Sequence, residues 1–513
     1  MNEELTLDLQ QLLSASLTAP VYEVAIKSAL QPMPIISERL GCEVLIKRED
    51  TQPVYSYKLR GAYNKLVQLS EEELSRGVIA ASAGNHAQGL ALAAQKMGID
   101  ATIVMPRTTP DIKVSAVRKF GANVIQTGDN FSAALEHAMA LAEEKGYTVI
   151  PPYNDWYVMA GQGTVGLELL SQAPDLDAIY IPVGGGGLAA GVGAVIKSVN
   201  PDIDIIAVEA EDSACYELAH EHGTPTELEK IGLFADGIAV KIVGDLTFEV
   251  LEQVVDDIVT VKTDEICAAI QDIFNDVRAI SEPAGAVALA GLKKHQATKK
   301  YGKVAVMLSG ANINFHSLRH VSERSELGES AEVVLSATID EHAGSFRNFC
   351  QLLNDRAITE FNYRLADPKE ANVFVGIKVQ DALTERHKII DELNANGIPT
   401  LDLSDDEMAK VHLRYMVGGI PPGKFREQVV SFDFPEIPGA LMKFLETLGD
   451  KWNITLFHYR NHGAAYGRVL AGFDVPESQQ TEFESYLDKL GYRFSNQSDN
   501  PAYQRFLNPY RPD

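Results

Sequence analysis

Lys58 stands in Tyr55-Ser56-Tyr57-Lys58-Leu59-Arg60-Gly61-Ala62, between an aromatic residue and an apolar set (Leu59, Ala62, Tyr63, Leu66, Val67) spaced like the buried face of a helix. The spacing predicts a lysine near a helix start, where the positive dipole end and burial both disfavour the charged ammonium. A neutral lysine amine is nucleophilic, and its usual use is a Schiff base with a carbonyl cofactor. The competing reading is a solvated surface charge, which is what most lysines at helix starts are.

Gly184-Gly185-Gly186-Gly187 follows the apolar run Ile179 to Val183 and precedes the helical pattern of Leu188-Ala189-Ala190. Glycines at such a turn let several backbone N–H groups converge on a phosphate at a helix N-terminus; the plainer reading is a tight strand-to-helix turn. Gly185, Gly187 and Ala190 also fit the dinucleotide pattern, with Asp202 or Asp204 as the ribose acid, and Gly161, Gly163 and Gly166 fit it without a preceding strand. The dinucleotide reading gives Lys58 and Asn85 nothing to do, so the phosphate reading is preferred. Asn85 follows Ser82-Ala83-Gly84 and opens a pattern running from His86 to Met97. It reads as an N-cap, which is compatible with binding, because a helix start suits an anion. His86 alone reads as a structural histidine. Ser309 ends the run Val304 to Leu308, where a loop residue needs no special account.

These groups need a frame that brings them together. From Val44 to Leu308, apolar runs alternate with helical patterns: Val44–Ile46, Val78–Ala80, Ala101–Met105, Asn123–Ile125, Ile179–Val183, Ile205–Val208 and Val304–Leu308, with helices such as Asp111 to Phe120 and Phe131 to Lys145 between them. Near-continuous apolar strands alternating with helices mean parallel sheets covered on both faces, and such sheets bind ligands at the carboxyl ends of their strands. A short amphipathic helix before Pro20 precedes them. The polar stretch Ser322 to Ser330 reads as a linker.

Beyond it the chain repeats. Gly344-Ser345-Phe346 through Phe361-Asn362-Tyr363-Arg364 aligns with Gly439-Ala440-Leu441 through Phe457-His458-Tyr459-Arg460. The offset is 95 residues at the glycine and 96 at the tyrosine. Two copies are too few for a solenoid, so these are paired β-α-β-type modules. Each glycine precedes a helix pattern and offers N–H groups to a small carboxylate. Tyr363 and Tyr459 are read either as core or as the rim of an effector pocket, since a phenol can border apolar surface and still donate a hydrogen bond.

The 513 residues predict roughly two to four domains. A net charge of −26 argues against nucleic acid and anionic membrane surfaces as partners. The scattered Cys42, Cys215, Cys267 and Cys350 suit a reducing compartment and supply no metal framework. The acidic Met1-Asn2-Glu3-Glu4 lacks the features of a signal peptide, and no apolar run approaches membrane-spanning length. The expectation is a cytoplasmic protein.

Taken together, Ser56 to Ala62, Ser82 to Gly89, Gly184 to Gly187 and Leu308-Ser309-Gly310-Ala311-Asn312 resemble, in order and spacing, the motifs of fold type II pyridoxal-phosphate enzymes, the serine/threonine dehydratase group. The repeat resembles the paired ACT-like regulatory subdomains of the biosynthetic members. The resemblance implies a catalytic domain over 1–320 built of two parallel-sheet α/β lobes, a linker over 321–332, and α+β subdomains over 333–410 and 428–507. It implies pyridoxal 5'-phosphate on Lys58, with Asn85 at its phenolic oxygen, Gly184 to Gly187 and Leu188 at its phosphate, and Ser309 at its pyridine nitrogen. It also implies a substrate carboxylate held by the turn of Ser82, Gly84 and His86. A neutral hydroxyl at the pyridine nitrogen makes a weaker electron sink than an aspartate would and suits loss of a β-hydroxyl. The implied reaction is dehydration and deamination of L-threonine to 2-oxobutanoate and ammonia, the first step of isoleucine biosynthesis, with L-serine as secondary substrate and Lys58 as general base. Isoleucine would inhibit, valine would oppose it, and the assembly would be a homotetramer. Tyr57 stands where many relatives carry Phe. The alternatives are a serine racemase or serine dehydratase-type lyase, and a catalytically dead amino-acid sensor.

Overall fold

Strands that are apolar on both faces have to be covered on both faces, and the first half of the chain is built on that requirement. A computed structural model describes residues 8–315, 317–328, 332–353, 356–379, 382–406, 408–409, 427–435, 439–449, 451–460 and 466–507. The chain divides into two units, Met1–Gly328 and Glu329–Asp513.

The first unit holds two sheets. The larger runs in the order Leu30–Pro32, Glu43–Arg48, Lys303–Leu308, Ala178–Pro182, Asp204–Ala210, Asp257–Val261; the first pair is antiparallel and the rest are parallel. The smaller is parallel throughout, in the order Asn123–Gln126, Ala101–Met105, Val78–Ala81, Thr148–Val149. Every residue of Ala178–Pro182 and Ala101–Met105 is buried, as expected of strands sandwiched between helices. All seven strands expected from apolar runs are present. Leu30–Pro32, Thr148–Val149 and Asp257–Val261 were not read from the sequence: the first two are only three and two residues long, and the third is half-polar at an edge.

The polar stretch expected as a linker is instead mostly helix. Ser317–Gly328 is helical and belongs to the first unit, where Arg324 pairs with Asp264 at 2.5 Å, and strand structure resumes at Glu332. Its polarity marks a helix with a solvated face. Residues 329–331 lie outside the described residues.

The second unit is one antiparallel sheet of eight strands made from two copies of a β-α-β-β-α-β module. Copy one gives the order Thr400–Asp402, Glu332–Asp340, Glu370–Lys378, Ile358–Arg364, the ferredoxin-like arrangement. Copy two gives the mirror order Asn453–Arg460, Tyr466–Asp474, Glu427–Pro435, Arg493–Asn496. The copies join where Ile358–Arg364 pairs antiparallel with Asn453–Arg460, Tyr363 opposite Phe457 and Phe361 opposite Tyr459. Gly344 and Gly439 both cap their helices in the left-handed region, at φ 93° and 83°. The helix after Gly439 has nine residues against eight in copy one, which accounts for the changed offset.

Candidate active site

Lys58 is the first residue of the helix Lys58–Leu66. The turn before it is tied to the end of the Lys303–Leu308 strand. Tyr57 N–H donates to the Ser309 carbonyl at 3.3 Å, Ala311 N–H donates to the Tyr55 carbonyl at 2.9 Å, and Ser56 bridges Gly310. The lysine motif and Ser309, some 250 residues apart in the chain, are therefore adjacent. Tyr55 is held at φ 55°, where a non-glycine residue costs about 1 kcal/mol or more. Two glycines let neighbouring helices close on this one: a Cβ on Gly89 would lie 2.9 Å from the Leu59 nitrogen, and one on Gly161 would lie 2.7 Å from the Gly61 Cα. Burial brings the Lys58 pKa down to about 8, against the opposing pull of the Glu282 carboxylate. Its Nζ donates to the Pro152 carbonyl at 3.2 Å and stands 5.4 Å from the centre of the Tyr57 ring.

Beneath the lysine lies a closed set of buried charges. Arg60 pairs with Glu49 and with Glu168, each at 2.8 Å, and Lys47 pairs with Glu168 at 2.6 Å. Two cations and two anions, all essentially without solvent exposure, fix the helix that presents Lys58.

The four glycines form a cradle that no side chain could share. A Cβ on Gly184 would lie 2.5 Å from the Ile238 carbonyl oxygen, and one on Gly185 would lie 2.3 Å from the Tyr153 ring. Gly186 is left-handed, at φ 89°, and Gly187 begins the helix Gly187–Val199, with Leu188 buried in its first turn. Thr247 Oγ1 donates to the Gly185 carbonyl at 2.7 Å, and Cys215 Sγ donates to the Gly184 carbonyl at 3.3 Å. With these carbonyls taken, the N–H groups of the helix start have no intrahelical partners, the arrangement that binds a phosphate. The dinucleotide alternative does not survive. Gly161, Gly163 and Gly166 lie inside the helix Trp156–Gln172 and serve packing: a Cβ on Gly163 or Gly166 would lie 3.1 Å from the Gly191 or Val192 carbonyl oxygen. Asp204 sits at the opposite end of the sheet from the glycine loop, bonded to Lys299 and Tyr301.

Asn85 is the first residue of the helix Asn85–Met97 and not its cap; Gly84 holds the cap position and makes no side-chain cap bond. Its Nδ2 donates to Glu282 Oε1 at 2.6 Å, and its Oδ1 accepts from Asn312 Nδ2 at 2.8 Å. Burial, with Asp236 adding to it, pushes the Glu282 carboxyl up to about 7, while its bonds from Asn85 and Asn312 and the Lys113 charge oppose the rise. Ser82 and Gly84 are half-buried beside this amide, with Gly84 N–H donating to Ser82 Oγ at 3.4 Å. His86 turns away: its Nε2 lies 2.9 Å from the Ile150 carbonyl, and burial lowers its pKa to about 4, so it is a neutral tie between the helix start and the next loop. Ser309 Oγ is buried, with only a long 3.5 Å contact to the Ala284 carbonyl.

Sequence reading missed Glu282, Asn312 and the loop Ile150 to Asp155. Glu282 precedes the Pro that begins the helix Pro283–His295, and an acid there reads as a helix-start charge. The loop's prolines and Asn154-Asp155 read as punctuation. Yet Pro152 holds Lys58, Tyr153 lies on the glycine loop, Asn154 Oδ1 accepts from Leu246 N–H at 3.0 Å, and Asp155 caps Trp156–Gln172.

In the second unit, Phe361, Phe457, Tyr363 and Tyr459 are all buried in one apolar core. The Tyr363 hydroxyl donates to Glu341, which also accepts from Asn453 of the other copy at 2.7 Å. A hollow between the start of one copy's helix and the end of the other's is lined by His342, Gly344, Phe346, Leu445, Trp452 and Asn453. On the opposite face, Arg364 pairs with Glu427, which also accepts from the Thr455 and Tyr503 hydroxyls.

The model of the pyridoxal-phosphate dependent enzyme family matches residues 23–310, and that of the C-terminal regulatory domain of threonine dehydratase matches 323–413 and 421–507. The chain is 54% identical over 497 residues to the biosynthetic L-threonine dehydratase IlvA of Escherichia coli, covering 96% of each. It is 45% identical to the mitochondrial threonine dehydratase of Saccharomyces cerevisiae, over 96% of this chain and 88% of that one. Among solved structures, the processed form of threonine deaminase isoform 2 from Solanum lycopersicum matches at TM-score 0.61 and 46% identity, over 62% of this chain and 93% of that chain. Maize serine racemase matches at 0.58 and 31%, over 62% and 97%.

Proposed function

Because the chain belongs to the pyridoxal-phosphate dependent enzymes, and among them to the threonine dehydratases with a C-terminal regulatory domain, we infer that the cleft at the strand ends is where L-threonine is dehydrated and deaminated. The products are 2-oxobutanoate and ammonia. The carrying observation is one catalytic unit followed by a doubled regulatory module, both in the same chain. Maize serine racemase shares the catalytic fold over 62% of this chain, as the threonine deaminase structure does, so what favours the dehydratase is the doubled regulatory module and the dehydratase relatives that match 96% of the chain.

Bound at Lys58, pyridoxal phosphate supplies a carbonyl for Schiff-base chemistry and a conjugated ring that accepts the electron pair left when a Cα proton departs. The chain's own residues do the rest. The glycine cradle is fitted to hold the phosphate through backbone N–H groups, because any side chain on Gly184 or Gly185 would strike Ile238 or Tyr153. Ser309 Oγ, which among the described residues makes only a long 3.5 Å contact, is suited to the ring nitrogen, and the Asn85 amide to the ring oxygen. The half-buried Ser82–Gly84 turn, at a helix start, is suited to the substrate carboxylate. Lys58, with its lowered pKa, removes the Cα proton as its neutral amine. His86 is assigned no substrate contact, since its Nε2 is directed to Ile150.

For the regulatory unit we propose that the hollow between the copies takes isoleucine as inhibitor, opposed by valine, with Glu341 and Tyr363 at its margin. A homotetramer and a cytoplasmic location are proposed with the same reading, the location on the bacterial source of many of the relatives.

The full-length protein, loaded with cofactor, is assayed on L-threonine and L-serine with and without isoleucine and valine. Threonine should give 2-oxobutanoate faster than serine gives pyruvate, and isoleucine should suppress both. Racemised serine with no 2-oxobutanoate would overturn the assignment, and a colourless protein after loading would favour the sensor.

A further inference from the structure

The Asn85 amide is held at two ends, and one of them fixes which way round it lies. The Val54 carbonyl can only accept, so the Asn312 atom 2.8 Å from it is that side chain's Nδ2. The same Nδ2 lies 2.8 Å from Asn85, so the Asn85 atom it meets is the oxygen. At the other end, the Asn312 backbone N–H can only donate, and it donates to Glu282 Oε2 at 3.0 Å. The second Glu282 oxygen lies 2.6 Å from the remaining Asn85 atom, Nδ2. A reversed amide would face NH2 with NH2 at the Asn312 end and lose that bond, and it would keep a bond to Glu282 only with the carboxyl protonated. Nδ2 carries two hydrogens and Glu282 takes one; among the described residues no bond to the other is found. Gly310 makes room for the pair: a Cβ there would lie 2.5 Å from Glu282 Oε1 and 3.2 Å from Asn85 Nδ2.

We propose that Glu282 and Asn312 are positioning residues that lock the Asn85 amide so that its second N–H is presented to the cofactor's ring oxygen. The inference rests on reading Asn85 as a cofactor contact. It makes Glu282 act through Asn85, and it makes the Asn312 side chain part of the same device. Glu282 is also faced by Lys58 and by Asp236, the latter paired with Lys113.

The test uses full-length protein and two readouts besides turnover: the visible absorption maximum of the bound cofactor, and the affinity of the apoprotein for pyridoxal phosphate. Asn85→Ala should shift the band and weaken affinity about tenfold, the size of one hydrogen bond to a charged or polarised oxygen. Glu282→Ala and Asn312→Ala should move the band in the same direction and weaken affinity by at least half as much. Glu282→Gln should fall between them and the native protein, because its single carbonyl can serve Asn85 or the Asn312 N–H but not both. In the Asn85→Ala background the Glu282 and Asn312 changes should add nothing, since a device acting through Asn85 has nothing left to position. If Glu282→Ala does not fold, Glu282→Gln and Asn312→Ala carry the test. A shifted band in Asn85→Ala with native spectra and affinity in the other variants would overturn the positioning role alone. Native behaviour of Asn85→Ala would overturn the reading of Asn85 and this inference with it.

Discussion

The two units place buried polar groups by opposite rules. In the catalytic unit no arrangement is repeated: Asn85 meets Glu282 across 197 residues of chain and Arg60 meets Glu168 across 108, each group with a different partner. In the regulatory unit nearly everything occurs twice. Glu332 accepts from Thr359 under Gly376, and Glu427 accepts from Thr455 under Gly472; a Cβ on either glycine would strike both partners. Chemistry in the first unit comes from convergence at strand ends. The second, a duplicated frame, matches a regulatory-domain model, and on the proposed reading discrimination between effectors comes from whatever the copies do not share.

The largest test of that contrast is Lys58→Ala. Losing the base alone should cost roughly 10²–10⁴-fold in turnover, read as 2-oxobutanoate formation, and borohydride should no longer fix the cofactor to the chain. Fixation on another lysine would remove Lys58 from the centre of the site. In the apoprotein, acylation of Lys58 should rise with pH and reach half its maximum near pH 8, because burial lowers that pKa and only the neutral amine reacts.

Next in size is the pair of buried arginines. Arg60→Met leaves the buried Glu49 with only neutral donors, Ser28 Oγ and Gln52 Nε2, and leaves Glu168 with Lys47 as its remaining cation beside the Tyr22 hydroxyl and the Ser28 N–H, at a cost of about 3–5 kcal/mol in unfolding free energy. Arg364→Met should cost less, because Arg364 pairs with Glu427, which keeps the Thr455 and Tyr503 hydroxyls, whereas Arg60 pairs with two buried carboxylates at once. Urea denaturation of both variants checks the order, and equal losses would mean that the closed charge set beneath Lys58 is no more demanding than the latch between the copies.

A chain ending at Gly328 cuts between the units and separates their roles. It should bind cofactor and dehydrate threonine, because every proposed catalytic group lies before that point, and it should not respond to isoleucine. The cut belongs after Gly328, since Ser317–Gly328 packs into the first unit as a helix. Inhibition retained by the shortened chain would move the effector site out of the repeat.

Much of this was legible in the sequence because each catalytic element sits next to a strong local signal. Ser82, Gly184 and Ser309 each follow closely on an apolar strand, and strand ends are where such sheets gather ligands. Glu282 and Asn312 were not legible, because their role exists only in pairing across the chain, and a single sequence shows spacing along the chain and not across it. The Ser322–Ser330 stretch misled for a different reason: a helix with a solvated face and a linker have the same polarity. In the repeat, Phe361 and Tyr363, two apart in one strand, share a buried face as strand alternation requires, while the Glu341 that engages Tyr363 cannot be inferred from that spacing.

The smallest expected effect asks whether the two copies differ where it matters. Tyr363 is buried against Phe346, at 4.7 Å between ring centres, so its ring is core, while its hydroxyl donates to Glu341. Burial raises the Glu341 carboxyl, and its bonds from Tyr363 and Asn453 pull it back toward the charged form. The position matching Glu341 in copy two is Glu436, which lies outside the described residues. On the proposed reading an effector's ammonium group is met by Glu341, which adjoins the lining residue His342 in the chain and accepts from the lining residue Asn453. Tyr363→Phe keeps the ring and removes one of those two bonds, which should weaken isoleucine binding by about 0.5–1.5 kcal/mol. That corresponds to a roughly two- to twelvefold higher isoleucine concentration for half-inhibition, with turnover in the absence of isoleucine as the internal reference. Asn453→Ala should act in the same direction, and the two changes should be coupled rather than additive, because both act through one carboxylate. Inhibition curves that stay in place for both variants would make Glu341 a structural acid and leave the hollow without a role in effector binding.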